Sequence, residues 1–187
     1  MLSKPLKQAL VCAGLIIWVM VVIGGLAYSG LQRQVDFDPQ QRLASAAMTA
    51  EFAPNVTSMM AQRYPDLNKT VIHIQQLGCS CNFSNDIHVG RLDFTLENSD
   101  YRSLHVPPSG IPEEVILPSL PAIMVFDEHG QLGYFGPYAS GYFCSTDTAI
   151  VDRFLDNILA NKHLGSAVVS EGYGCYCANK RAAEPML

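Results

Sequence analysis

One short stretch constrains the fold more than any other: Thr70-Val71-Ile72-His73-Ile74-Gln75-Gln76-Leu77-Gly78-Cys79-Ser80-Cys81-Asn82. A β-branched run ends in a glycine and two cysteines one residue apart, and a helix-like segment follows. Strand, sulfur, then helix N-terminus is a physical recipe for an activated thiol. Backbone N–H groups and the helix dipole stabilise the thiolate, which is the reactive form. A structural disulfide or a pair of metal ligands fits the same residues, and those alternatives stand beside redox chemistry.

A second stretch sets the compartment. Leu10 to Ala27 carries no charge and is long enough to cross a bilayer. Lys4 and Lys7 precede it, and charge of both signs follows at Arg33, Asp36 and Asp38. This asymmetry puts residues 1–9 in the cytoplasm, the membrane helix at 10–28 and the rest of the chain outside. A cleaved leader is the competing reading, since small residues surround Tyr28. The run exceeds a usual leader core and lacks a clean A-x-A, which favours an uncleaved signal anchor.

All 17 acidic residues lie beyond the span, together with all but two of the 12 Lys and Arg. An acidic exported domain without a basic cluster is a poor partner for nucleic acid. Of the 6 cysteines, Cys12 falls inside the span as a small apolar residue. Cys79, Cys81, Cys144, Cys175 and Cys177 are all on the exported side, where disulfides are permitted. An odd number leaves at least one thiol free, metal-bound or transiently paired.

Residues 29–65 read as a tether followed by short helices, the first capped by Asp38 with Pro39 after it. The strand Thr70 to Ile74 follows a turn. After the cysteines, Asn82 or Ser84 caps a helix to about Val89, and Arg91 to Leu96 alternates as a second strand. Residues 97–117 read as a loop with a turn of helix near Pro112 to Val115. Pro121 then opens a buried strand, Glu128-His129-Gly130 turns it, and Gln131 to Phe135 returns. Ile150, Val151, Phe154, Leu155, Ile158 and Leu159 recur at helical spacing, which predicts a helix over 146–162.

Cys79 and Cys81 after the first core strand, Leu120-Pro121 before the third, the 122–135 hairpin and the helix over 146–162 resemble the thioredoxin superfamily. The likeness covers residues 66–163 and implies an α/β fold, a central mixed sheet flanked by helices, after one transmembrane helix. Residues 164–187 form a Cys-containing C-terminal tail. More narrowly, Cys-x-Cys-Asn with Leu-Pro-Ala, Val-Phe-Asp-x-x-Gly and Phe-Gly-Pro-Tyr looks like a family of single-span bacterial thioredoxin-like proteins. That likeness implies an inner-membrane anchor with a periplasmic domain. The superfamily further implies a cis peptide at Pro121, with the Leu120 backbone pairing with a substrate peptide.

The usual redox pair of that superfamily is Cys-x-x-Cys, and one residue fewer separates Cys79 from Cys81. A bond between these two would close a very small ring, and a strained bond is more oxidising. This suits an oxidase or isomerase better than a general reductant. The loop 136–145, bearing Tyr138, Tyr142 and Cys144, is expected at the same sheet edge as Cys79, and the tail is long enough to bring Cys175 and Cys177 there.

Two classes of function follow. In thiol–disulfide exchange, Cys79 is the exposed nucleophile, Cys81 the resolving thiol, Pro121 and Leu120 the substrate-side element, and Cys144, Cys175 and Cys177 auxiliary thiols; the partners are protein thiols or a redox protein, and no cofactor is needed. In metal binding, Cys79, Cys81, Cys175 and Cys177 offer thiolates for zinc or copper, with His88, otherwise a lone surface histidine, as a further donor. A structural domain stapled by disulfides is a third reading. Hydrolase and nucleotide motifs are absent.

Overall fold

A computed structural model describes residues 4–31, 34–141 and 149–179. The chain divides into two units, Met1–Gln34 and Val35–Leu187. The first contains α1 (Lys4–Leu31). Its Gln8–Tyr28 segment of 21 residues has a mean hydropathy of 2.6, long and apolar enough to cross a membrane once. The second unit takes in the short helices before the central domain and the described part of the tail after it.

β1 (Gln34–Asp36) leads to α2 (Arg42–Ala47) and α3 (Phe52–Arg63). The N-cap residue of α2 is Gln41 rather than the expected Asp38, which still reaches the helix start through its side chain. The Asp38 carboxylate accepts from the amides of Arg42 at 3.1 Å and Ala44 at 2.9 Å, while Pro39 lies in the preceding turn. Then come β2 (Thr70–Ile74), α4 (Asn82–Glu97) and β3 (Arg102–Val106), a right-sized unit for two parallel strands. β4 (Ser119–Leu120), β5 (Ala122–Phe126) and β6 (Leu132–Gly136) follow, then α5 (Asp152–Leu159). β7 (Ala167–Val168), β8 (Tyr173–Cys175) and β9 (Cys177–Ala178) complete the described chain.

The fold is mixed α/β. Five strands form one mixed sheet in the order β3-β2-β5-β6-β7. β2 is parallel to β3 and antiparallel to β5, which is antiparallel to β6. Pairs β1–β8 and β4–β9 flank it. Alternating side chains send Ile72, Ile74, Met124 and Phe135 to one face, against Leu43, Val56 and Met60. Val71, Ile123, Val125 and Tyr134 face the other way, against Leu92 and Leu96 of α4 and Leu155 and Ile158 of α5.

Three expectations change. Arg91 to Leu96 is helix, not strand: its alternation belongs to a longer helical stripe, Val89, Leu92 and Leu96, packed on the sheet. The parallel partner of β2 is instead Arg102–Val106, inside the expected loop, an edge strand with exposed Arg102 and His105 and therefore little apolar signal. The last helix begins at Asp152 because the amides of Ile150 and Val151 bond the Tyr138 carbonyl at 2.8 and 3.3 Å instead; the expected caps Ser145 and Thr146 lie outside the described residues.

Candidate functional site

The C-terminal end of β2 delivers the chain to a tight turn at Gly78, whose φ of +79° favours glycine. The turn is closed by the Cys79 amide on the Gln76 carbonyl at 3.2 Å and by the Asn82 side-chain amide on the same carbonyl at 2.9 Å. Cys81 is the N-cap residue of α4, so both sulfurs sit at the head of a 16-residue helix. That end carries unpaired N–H groups and partial positive charge, which stabilise a thiolate.

The two Cys-x-Cys pairs are joined crosswise. Cys79 bonds Cys177 with a Cα–Cα distance of 5.9 Å, and Cys81 bonds Cys175 at 5.4 Å. A Cys79–Cys81 bond is therefore not the one formed. Two facing pairs with equal one-residue spacing can bond across without closing the small ring that Cys79–Cys81 would need. Between the tail cysteines, buried Tyr176 packs edge-on to Phe37 at 5.2 Å and donates to the Ala139 carbonyl at 2.6 Å. With Tyr176 anchored there, its neighbours present their sulfurs to Cys79 and Cys81. Nor is Cys79 exposed, as a free nucleophile would be: it is only 7% accessible and Cys81 4%. Cys175 and Cys177 are half-buried.

The Leu120–Pro121 peptide is cis. The Leu120 carbonyl oxygen lies 4.0 Å from Cys79 Sγ. The backbone slot beside Leu120 is filled by the chain's own tail: β4 and β9 pair antiparallel, Leu120 opposite Cys177 and Ser119 opposite Ala178. Asn179 anchors the strand by donating to the Leu117 carbonyl at 2.9 Å. The loop after β6 reaches this edge as expected, and Tyr138 and Ala139 line a small cavity with Cys81, Asn85, Pro121 and Cys175. Cys144 and Tyr142 lie outside the described residues. His88 is buried on α4 rather than a surface histidine.

Sequence reasoning missed the polar partners behind the cavity. His73, in the middle of β2, is wholly buried, and its Nδ1 lies 2.6 Å from the Tyr138 hydroxyl. Burial lowers the His73 pKa to about 4; the Asp93 carboxylate raises it in part and His105 lowers it again. Burial likewise holds the Tyr138 and Tyr134 phenols well above their ordinary value. For metals, the Sγ atoms of Cys79, Cys81 and Cys177 lie within 4.8 Å of one another, so reduction would gather thiolates at one point.

The family described as a domain of unknown function, DUF6436, matches residues 48–179. The match covers more than half of the chain, and the chain belongs to that family. It takes in α3, the whole five-stranded sheet, the cis peptide and all four bridged cysteines. No curated protein and no solved structure matches the chain.

Proposed function

We propose that this is a thioredoxin-like thiol–disulfide exchange protein, held in the periplasm by a single inner-membrane span with its N-terminus in the cytoplasm. The observation that carries the reading is the placement of Cys177. It is bonded to Cys79 while its backbone pairs with Leu120, the position the superfamily likeness assigns to a substrate peptide. The tail sits as an internal substrate, caught as a disulfide at the head of α4. The mixed sheet, with α4 between parallel β2 and β3 and a cis peptide just before β5, supports the reading.

Exchange starts at the half-buried sulfurs. A partner thiolate attacks Cys177 Sγ, a partner–Cys177 bond forms, and the Cys79–Cys177 bond breaks. Cys79 leaves as a thiolate at the N-terminus of α4, where a low pKa makes a good leaving group. A second partner thiolate then attacks the mixed disulfide. The partner gains a disulfide and loses two electrons, and the protein keeps Cys79 and Cys177 reduced. The Cys81–Cys175 bond admits the same sequence, and Pro121 lines the cavity beside it. Cys144 is proposed as an auxiliary thiol.

The test is to treat the oxidised full-length chain in detergent with reduced glutathione, trap with an alkylating agent and map the adducts by mass spectrometry. Glutathione on Cys177 or Cys175, with Cys79 or Cys81 alkylated, is the expected result. Two bonds that resist until the chain is unfolded would overturn the reading and leave a disulfide-stapled interaction domain. A second reading, zinc or copper held by the reduced thiolates, is favoured by the three sulfurs within 4.8 Å. It predicts one thiolate-bound metal per fully reduced chain, lost on alkylation.

A further inference from the structure

We propose a second, cysteine-independent site: a divalent transition-metal site, best suited to zinc, formed by His73, Asp93 and His105. The three come from different elements and meet on one face of the sheet. His73 of β2 is the register partner of His105 on parallel β3. Their side chains therefore leave the same face side by side, and Asp93 of α4 closes over them. Asp93 Oδ1 lies 3.4 Å from His73 Nε2, and Asp93 Oδ2 lies 3.2 Å from His105 Nε2. All three ligand atoms fall within 4.8 Å of one another. A tetrahedral zinc with bonds of about 2.0–2.1 Å sets its ligand atoms about 3.3 Å apart. The two contacts to Asp93 already have that spacing.

The independent sign of a ligand is His73 itself. Its side chain is 0% exposed, yet Nε2 has no hydrogen-bond partner among the described residues, and the 3.4 Å approach of Asp93 lacks hydrogen-bond geometry. A buried nitrogen left unpaired costs free energy, and a cation placed between it and the carboxylate would satisfy both. The neighbours are those a metal-binding histidine takes. Nδ1 is engaged by the Tyr138 hydroxyl at 2.6 Å, which leaves Nε2 as the free nitrogen, and Ser103 donates to Asp93 Oδ1 at 2.6 Å.

One ligand must move. The two imidazoles stack with centroids 4.7 Å apart and planes 12° from parallel, so their lone pairs do not converge. His105 is half exposed, at 49% of its side chain, and can turn its edge toward His73 without disturbing the core. Three protein ligands with one solvent-facing position describe an open site. The histidine–carboxylate donor set excludes a preference for calcium or magnesium, which favour all-oxygen ligands.

The test uses the full-length chain with both disulfides intact and with Cys12 and Cys144 alkylated, so that no thiolate can compete. After EDTA treatment and its removal, the chain is titrated with Co²⁺ as the spectroscopic probe, then with Zn²⁺. The expected result is one Co²⁺ per chain with visible bands of a nitrogen–oxygen site, no sulfur charge-transfer band, displacement by Zn²⁺, and a rise in melting temperature. Asp93→Asn and His105→Ala, both at partly exposed positions, should weaken binding at least tenfold while keeping the metal-free melting temperature. No stoichiometric binding, or equal affinity in both variants, would overturn the proposal. Because the disulfides stay closed throughout, neither result bears on the exchange reading.

Discussion

The two faces of the central sheet are made by the same strands and differ in kind. On the face covered by α2 and α3, β2, β5 and β6 present Ile72, Ile74, Met124, Phe126 and Phe135 to Phe37, Leu43 and Met60, all apolar and fully or almost fully buried. On the face covered by α4 and α5, the same strands add His73 and Tyr134, and Tyr138 lines the cavity with buried Asn85. The first face is held mainly by dispersion and water exclusion, with one hydrogen bond from the Leu132 amide of β6 to the Thr57 hydroxyl of α3 at 3.1 Å. The second contains groups whose charge or pairing can change, and it continues through Tyr138 to the cavity at Cys81. A sheet can be polar on one side because the other side supplies the stability.

The largest test concerns the staple at the edge where both faces end. The bridges span 98 and 94 residues and are nested. Either one alone removes the large-loop entropy of the unfolded chain, about 4.7 kcal/mol for a loop near 100 residues, and the second closes only a small extra ring. Removing Cys81 and Cys175 together should therefore cost about 2 kcal/mol in urea melts, and removing all four cysteines about 7 kcal/mol. Equal steps for the first and second pair would break this picture. Next in size, Phe135→Ala on the apolar face should cost about 3–5 kcal/mol at any pH, through lost burial and the cavity left behind.

The other face should respond to pH. With chelator present, His73 titrates near 4 in the folded chain against 6.5 unfolded. Between those values the unfolded chain binds the extra proton, so stability falls as pH drops, by up to about 3 kcal/mol. The groups facing its ring are Asp93 of α4, His105 of β3 and Tyr138 after β6. Urea melts at pH 7.5 and 4.5, compared with His73→Leu, isolate its share. Wild type and variant falling in parallel would show that His73 carries none of it.

The division of faces was partly legible from residue order alone. Strong periodicity placed β2, β5 and β6, and Leu120-Pro121 and the Glu128–Gly130 turn stand where they were read. β3 was not legible, because an edge strand such as Arg102–Val106 shows too few apolar side chains to signal burial. Arg91–Leu96 misled because six residues fit both periods, and only the contacts of Leu92 and Leu96 with the sheet decide for helix. The nested bridges depend on Tyr176 locking against Phe37 and Ala139, a contact across more than a hundred residues for Phe37. His73 read as one polar residue in a strand. Its partners, Asp93 and His105, become neighbours only through the β2–β3 register, and β3 carries no strand signal in the sequence.

The smallest effect tests whether Tyr138 ties the polar face together. Its hydroxyl is the partner of His73 Nδ1, and its ring stacks on His73 with centroids 5.7 Å apart. Tyr138→Phe keeps the ring and the packing and removes one oxygen, so the loss of stability should be about 1–2 kcal/mol, from leaving Nδ1 unpaired in a dry site. If the hydroxyl only fills space, nothing else changes. If it fixes which ring nitrogen carries the proton, the variant also loses Co²⁺ affinity by about 10–100-fold, the usual effect of removing the partner behind a metal-bound histidine. The same substitution leaves both disulfides in place, so glutathione trapping at Cys177 should proceed as in wild type. A stability loss without any change in Co²⁺ affinity would make Tyr138 a packing residue and separate His73 from the cysteine edge.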